Sequence, residues 1–170
     1  MSKIKENSGV LVQGHIKIHD PESGAVFVNK RNAIHYENMS IALAESVANQ
    51  GQGFISSMAF GNGGTSVDPT GIITYLTPNS TGTNASLYNQ TFTKIVDDRS
   101  VSNLDPQRNK IETRHVNGTN YTDVVVTCLL DYGEPNGQDA TDTASASDSL
   151  YVFDELGLVS YASSGTGKLL

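Results

Sequence analysis

The sequence predicts a mainly β protein, an antiparallel β-sandwich-like domain with one short α-helix and long loops. Apolar residues make up 37% of the 170 residues and charged residues 17%, and Asn, Ser, Thr and Gly fill the difference. This composition favours strands joined by polar loops over long surface helices, which carry many Glu, Lys and Arg. The length suits a single domain, residues 1–170, and the sequence contains no internal repeat and no clear domain boundary.

A β-hairpin followed by a helix is predicted first. Val10 to His19 reads as a strand, and residues 20–24, DPESG, are typical of a turn before the apolar run Ala25 to Val28. Asn38 or Ser40 can cap the helix, and Gly51 can end it in a left-handed conformation. The apolar residues with helical spacing, which should face a sheet, are Ile41, Ala44, Val47 and Ala48.

The middle of the chain alternates predicted strands with loops. Phe54 to Phe60 and Ile72 to Leu76 are predicted strands, and the glycine-rich run Gly61 to Ser66 between them requires a tight and permissive backbone. Almost every residue from Thr77 to Gln90 is small or polar, which predicts a long surface loop. Thr91 to Val96 is the next predicted strand.

A second hairpin is predicted where Asn109 to Val116 meets Tyr121 to Leu130. The two segments are joined through Asn117-Gly118, and Asn-Gly is a strong signal for a tight hairpin turn. The second strand has apolar residues at both its odd and its even positions. This pattern predicts a central strand that is covered on both faces.

The last part of the chain combines an acidic loop with short apolar segments. Gly133 to Ser149 is predicted to be the loop, and Leu150 to Phe153 and Leu156 to Tyr161 are two extended segments. The chain stops on Lys168-Leu169-Leu170, where apolar residues need somewhere to bury. A truncation or a docking arm would explain this ending, and docking arms are expected at the amino- and carboxyl-terminal ends.

Charge and hydropathy exclude two kinds of partner. The formal net charge is −7, and no Lys/Arg cluster is longer than Lys30-Arg31, which argues against nucleic acid. No segment approaches the roughly 20 apolar residues that cross a bilayer. No apolar stretch typical of a signal peptide follows the first residues. We therefore expect a soluble protein that is made in a cytoplasm and has no membrane partner.

The glycine runs and the histidines do not match known binding motifs. Gly61-Asn62-Gly63-Gly64 lacks the spacing and the following Lys-Ser/Thr of a phosphate-binding loop, and Gly165-Thr166-Gly167-Lys168-Leu169 fails on two required positions. His15 and His19 would stand about 13 Å apart on a strand, too far to share a metal ion. The sequence therefore predicts no cofactor and no metal.

The nucleophiles and carboxylates also lack a catalytic arrangement. The lone Cys128 lies in an apolar run and is expected to pack as a core residue. Asp97-Asp98 and Asp154-Glu155 are paired carboxylates, but the chain has no Trp to form the aromatic platform of a sugar cleft. We predict no catalytic, cofactor-binding or metal-binding residue, and hence a protein that is not an enzyme.

One segment carries a family resemblance. Residues 53–65, GFISSMAFGNGGT, followed by Asp68-Pro69-Thr70, resemble a pattern in tailed-bacteriophage structural proteins, in which a strand of the type MAFGxGGT precedes a loop and another strand. Shorter segments that resemble the same group are residues 14–20, GHIKIHD, residues 23–26, SGAV, residues 30–35, KRNAIH, and residues 130–135, LDYGEP. The resemblance implies a virion component with a β-sandwich-like fold and carries over no catalytic residue.

The leading hypothesis is a non-enzymatic virion structural protein. It would decorate the capsid or belong to the neck, tail or baseplate, and its partners would be other virion proteins and, in a homo-oligomer, copies of itself. Thr77 to Gln90 and Gly133 to Ser149 are the candidate contact loops. The alternative is a receptor- or carbohydrate-binding β-sandwich of a phage fibre or appendage, with stacking residues among Tyr75, Tyr88, Tyr121 and Tyr132. A small hydrolase or metalloenzyme is the least favoured.

Overall fold

The computed structural model describes residues 9–82, 85–131, 134 and 153–170. Within these ranges the protein is mainly β with one α-helix, which confirms the predicted fold class. The elements in chain order are β1 (Gly14–His19), β2 (Val26–Asn32), α1 (Tyr36–Val47), β3 (Ile55–Gly61), β4 (Thr65–Val67), β5 (Ile73–Tyr75), β6 (Gln90–Ile95), β7 (Lys110–His115), β8 (Thr122–Thr127) and β9 (Glu155–Ser160).

The described strands pair antiparallel in four small sheets, with the orders β1-β2, β6-β3-β9, β4-β5 and β7-β8. Internal contacts divide the chain into two compact units, residues 1–34 and residues 35–170. The sequence indicates no boundary at this point, because residues 30–36 contain neither a proline nor a glycine.

The first unit contains the predicted amino-terminal hairpin, although β1 begins at Gly14 and not at Val10. Its turn depends on the carboxylate of Asp20, which accepts hydrogen bonds from the Ser23 hydroxyl and from the Glu22 amide, the latter at 2.9 Å. These bonds lower the pKa of Asp20. The turn is therefore specified by its own residues, as the sequence predicts.

The second unit is built around the three-stranded sheet, in which β3 is the central strand. Ala59 and Phe60 of β3 are buried. The Phe60 ring packs against Phe92 of β6 and against Phe153, which precedes β9, with ring centroids 6.1 and 5.1 Å away. Val96, directly after β6, is fully buried. The sheet thus joins three predicted strands that are far apart in sequence.

The helix begins earlier than predicted. Its first residue is Tyr36, and its cap is His35, whose Nδ1 accepts a hydrogen bond from the Asn38 amide at 3.2 Å. The prediction of Asn38 or Ser40 as the cap is wrong, because both lie inside α1. An imidazole nitrogen serves the capping role that a short hydroxyl or amide side chain usually has.

The helix also buries a different face. Asn38 and Ala42 are its buried residues, whereas Val47 of the predicted apolar face is 87% exposed. The buried Asn38 donates a hydrogen bond from its Nδ2 to the carbonyl oxygen of Leu169 at 2.9 Å. That partner lies 131 positions along the chain, so local spacing could not identify the buried face.

The β7-β8 hairpin has the predicted turn, and Gly118 adopts a left-handed φ of 86°. Within the described part of the chain β8 pairs with β7 alone, and Val124 is 56% exposed. The prediction of a central strand covered on both faces is therefore wrong. Within β8, only Val125 and Val126 are partly buried, as are Cys128 to Leu130 just after the strand.

Strand β5 confirms the predicted extended segment around Ile73, and its partner β4 is an addition that the sequence did not indicate. Asp68 closes the turn between them. Its carboxylate accepts hydrogen bonds from the Thr70 side chain and from the amides of Ile72 and Thr70, and these bonds lower its pKa.

Candidate interaction surfaces

The glycine-rich loop between β3 and β4 binds two carboxylates of the chain itself. The Gly63 amide donates to Glu155 Oε1 at 3.1 Å, and the Gly64 amide donates to Asp154 Oδ1 at 2.8 Å. The Thr65 hydroxyl donates to the second oxygen of Asp154. We name this set of hydrogen bonds, together with those of Glu155 described next, the carboxylate clasp.

The clasp also binds the segment that leads into β6. Glu155 accepts hydrogen bonds from the amides of Tyr88 and Asn89 at 2.8 and 2.7 Å. Asn89 further bonds the glycine loop, because its carbonyl oxygen accepts from the Asn62 amide at 3.1 Å. Two adjacent carboxylates therefore connect three separate segments of the second unit.

Close approach of these segments explains the glycines. None of Gly61, Gly63 and Gly64 has a positive φ. A Cβ at Gly61 would lie 2.4 Å from the carbonyl oxygen of Asn89, and a Cβ at Gly63 would lie 2.7 Å from the Asn89 nitrogen. The predicted tight backbone is present, and the constraint is space for a neighbouring backbone.

The backbone amides of the glycine-rich loop already bind anionic groups of the chain itself. Backbone amides of a glycine-rich loop commonly bind phosphate, and here the carboxylates of Asp154 and Glu155 accept from them. One of the two carboxylate pairs that the sequence singled out therefore organises the backbone.

The first candidate contact loop, Thr77 to Gln90, lies on the surface. Hydrogen bonds hold some of its described residues in place. The Tyr88 hydroxyl donates to the Thr77 carbonyl oxygen at 2.6 Å. The Gly82 carbonyl oxygen accepts from His35 Nε2 at 2.9 Å. The loop thus presents a defined surface. The second candidate loop, Gly133 to Ser149, lies outside the described residues except for Glu134, as do Leu150 to Val152 of the following predicted segment.

The carboxyl-terminal residues dock along β9. Val159 forms a bridge with Leu169, and the Leu170 amide donates to the Leu158 carbonyl oxygen at 2.9 Å. Leu170 is buried, and a Cβ at Gly167 would lie 1.8 Å from the Ser160 carbonyl oxygen. The apolar end therefore has an internal partner. The docking arm at the carboxyl terminus was expected because these residues had no evident internal partner. The contacts with β9 provide one.

Two clefts flank the turn that follows β6. The larger one, of about 520 Å³, is lined by residues that include Phe54, Asp97 and Arg99. Phe54 stacks on Tyr161 with a centroid distance of 4.9 Å, and the Arg99 guanidinium lies 5.3 Å from the Phe54 centroid. Asp97 Oδ1 accepts from the Arg99 amide at 3.1 Å and from its Nε at 3.2 Å. The sequence analysis did not identify this aromatic stack, whose two rings are far apart in the chain.

The second cleft, of about 300 Å³, is lined by Asp97, Asp98, Arg99, Ile111 and Thr113. We name it the Asp98 cleft. Asp98 is exposed and has no ion pair within the described part of the chain. The cleft therefore combines an unpaired carboxylate with the partly buried Ile111 of β7.

Buried asparagines position the β7-β8 hairpin beside this cleft. Asn103 Nδ2 donates to the carbonyl oxygens of Asp97 and Asn109 at 3.2 and 2.8 Å. Asn109 Oδ1 accepts from the Leu129 amide at 2.8 Å. Both asparagines are buried and bonded to backbone groups. The base of the hairpin is thereby fixed to the turn after β6.

The candidate stacking tyrosines are dispersed. Tyr75 on β5 is 75% exposed and Tyr121 near the tip of the second hairpin is 58% exposed. Tyr88 is engaged through its hydroxyl with the Thr77 carbonyl. Tyr132 lies outside the described residues. None of the aromatic pairs among the described residues joins two of these tyrosines.

Cys128 is half-buried, and burial raises the pKa of its thiol to about 11, while nearby Lys94 lowers it and Glu134 raises it slightly. Lys94 and Glu134 form an ion pair. Burial raises the pKa of Glu134, but the hydrogen bonds from Lys94 and from the Asp131 amide lower it by more, so that its pKa is lowered on balance. Within the described ranges, no three His, Cys, Asp or Glu side chains lie close enough together to hold a metal ion.

Comparison with known proteins adds no family. No protein-family model, curated protein or solved structure matches the chain. Among the described residues, no helix is long and apolar enough to cross a membrane.

The clasp yields a prediction for stability. Glu155→Gln replaces an anionic acceptor of three backbone amides with a neutral amide, and we expect it to lower the free energy of unfolding by about 2–3 kcal/mol. Urea denaturation measures the change. The matched control is Glu22→Gln in the exposed first turn, where we expect no shift of the midpoint. Equal effects of the two substitutions would contradict a structural role for the clasp.

The carboxyl-terminal contact yields a second prediction. Gly167→Ala forces a methyl group against the Ser160 carbonyl, so we expect the Leu170 and Ser160 amides to exchange hydrogen at least about tenfold faster. Mass-spectrometric hydrogen exchange is the measurement. Gly9→Ala is the control, because a Cβ there meets nothing within 4 Å. Unchanged exchange in Gly167→Ala would show that the segment does not depend on this contact.

The third prediction concerns the thiol. With its pKa raised from 9.0 to about 11, Cys128 should react with a maleimide at pH 8 about a hundredfold more slowly in the folded chain than in urea. Folding favours the neutral thiol. Its contribution to stability is therefore complete below pH 9 and is lost as the pH rises towards 11. Equal rates in the two states would contradict the burial of the thiol.

Proposed function

We propose that this chain is a non-enzymatic structural protein of a bacteriophage particle that assembles through protein-protein interfaces. Its partners are other virion proteins and copies of itself, and it decorates the capsid or belongs to the neck, tail or baseplate. The proposal has two parts, assembly and the phage particle, and each has its own support.

The distribution of apolar side chains carries the assembly part. Among the described residues, five apolar side chains are buried, whereas twenty large apolar or tyrosine side chains are exposed. Single exposed apolar residues are normal in soluble proteins. Some of the exposed side chains are grouped: Val67 and Ile73, directly paired across β4 and β5, are 62% and 57% exposed. A grouped apolar surface of this kind supports burial against partners.

The roles of the carboxylates support a protein without catalysis. Asp154 and Glu155 accept hydrogen bonds from backbone amides, and Asp97 accepts from Arg99. General acid-base and nucleophilic roles need a group that is available to a substrate. Of the four carboxylates in the two sequence pairs, these three are engaged within the chain, and Asp98 is exposed without an ion pair among the described residues.

The resemblance in residues 58–65 supports the phage part. These residues lie at the centre of the second unit's three-stranded sheet and its clasp, since Ala59 and Phe60 are buried in β3 and Gly63 and Gly64 donate to the clasp. A pattern that specifies a strand and a glycine loop of this kind fits a shared structural module.

A receptor- or carbohydrate-binding role is the second candidate, and the exposure of Tyr75 favours it. A ring that is 75% exposed on a short strand can stack on a sugar face. Glycan-array binding that is lost in Tyr75→Ala and retained in Tyr88→Ala would favour this alternative.

A protein inventory of purified particles tests the proposal. Quantitative mass spectrometry should find the chain in intact particles from the source after density-gradient purification. On the order of a hundred copies or more would indicate a capsid or tail-shaft lattice, and about a dozen would indicate a neck or baseplate ring. An abundant host protein measures contamination. Recovery of the chain only at the level of that host protein would overturn the proposal.

A further inference from the structure

The amino-terminal hairpin has one basic face. Directly opposed residues of an antiparallel pair project from the same side, and the register places His15 opposite Arg31 and Lys17 opposite Asn29. All four residues are exposed. Lys30, opposite Ile16, projects from the other face. This face of the hairpin thus presents Lys17 and Arg31 with His15 and Asn29, whereas the opposite face of β1 and β2 carries the single cation Lys30.

The hairpin also exposes apolar side chains. Phe27, beside the register shift of β2, is 69% exposed and Val26 is 52% exposed. Ahead of β1, Val10 is 83% exposed. An isolated two-stranded hairpin is at best marginally stable in water. Covering these side chains would therefore stabilise the first unit.

Charge is divided between the two units. Residues 1–34 contain 5 Lys or Arg and 3 Asp or Glu, whereas residues 35–170 contain 6 and 15. The first unit is basic and the second strongly acidic. The net charges of the two units are therefore complementary, so the second unit of one copy attracts the basic face of another copy.

The Asp98 cleft has the chemistry to receive the basic face. Asp98 supplies an exposed carboxylate and Ile111 supplies an apolar wall. Arg99 also lines the cleft, but its charge is paired with Asp97, which leaves the Asp98 carboxylate as the unpaired charge. Val124, directly across from Thr113 on the same face of the second hairpin, is 56% exposed and extends this apolar surface. The cleft thus combines negative charge with exposed apolar area.

We propose that the basic face of the amino-terminal hairpin, with Lys17 and Arg31, docks in the Asp98 cleft of a second copy of this chain. The inference rests on the proposed function, because it assigns the contact by which the copies assemble. The contact is head-to-tail, so its repetition gives a closed ring or an open filament. Nucleic acid is the less suitable occupant of the basic face, because the chain as a whole carries a net charge of −7.

Matched charge reversals in the full-length chain test the contact. Sedimentation velocity across a range of protein concentrations measures the dissociation constant of self-association. We expect Lys17→Glu to weaken association about tenfold and Lys30→Glu, on the opposite face, by less than about twofold. Asp98→Lys should match Lys17→Glu. Asp123→Lys, an exposed acidic residue on β8, is the control for the cleft.

A double charge reversal that restores the attraction is the decisive experiment. The double variant Lys17→Glu, Asp98→Lys should associate within about threefold of the wild type, because the reversed charges attract again. Added salt should weaken wild-type association. A wild type that is monomeric at every concentration, equal effects of Lys17→Glu and Lys30→Glu, or no recovery in the double variant would overturn the inference.

The two proposals fail separately. A chain that is present in purified particles but monomeric in solution would leave the structural function standing and remove the docking contact. A chain that self-associates through Lys17 and Asp98 but is absent from particles would keep the contact and remove the virion role.

Discussion

The fold of the second unit depends on two adjacent carboxylates that accept hydrogen bonds from backbone amides. Asp154 and Glu155 stand where the chain enters β9, and they bond the loop after β3 and the segment before β6. These are the ends of the three strands that form the central sheet. Charge-assisted bonds of this kind are stronger than neutral ones, and they align strands that no short turn connects.

The surrounding structure repeats this use of polar groups. The buried residues include His35, Asn38, Asn103 and Asn109 beside a small apolar set centred on Phe60. Each of these polar side chains makes at least one hydrogen bond to a backbone group. Such bonds determine positions more than they add stability, since their net contribution is modest. The second unit also exposes large apolar side chains, among them Val101 and Leu104 at 98% and 96%.

Local signals in the sequence identified most strands and turns. The Asn-Gly turn of the second hairpin and the Asp20 turn of the first are specified by residues within a few positions of one another, so both were predictable. The cap and the buried face of α1 were not, because Asn38 is held by Leu169. The prediction that β8 is a covered central strand was also wrong. Apolar residues at both odd and even positions are compatible with a hairpin strand in which Val124 is exposed.

The sequence by itself determined the β-rich class, the two hairpins, the acidic net charge of the chain and the tight glycine loop. Only the tertiary structure decided what occupies that loop, where Leu170 is buried, and that Lys17 and Lys30 lie on opposite faces of a separate unit. The physical reason is the separation along the sequence between the groups that interact. Turn chemistry and side-chain alternation act over a few residues. The carboxylates accept from amides 66 to 92 positions away, and the Leu169 carbonyl oxygen accepts from Asn38, 131 positions away, which no local pattern encodes.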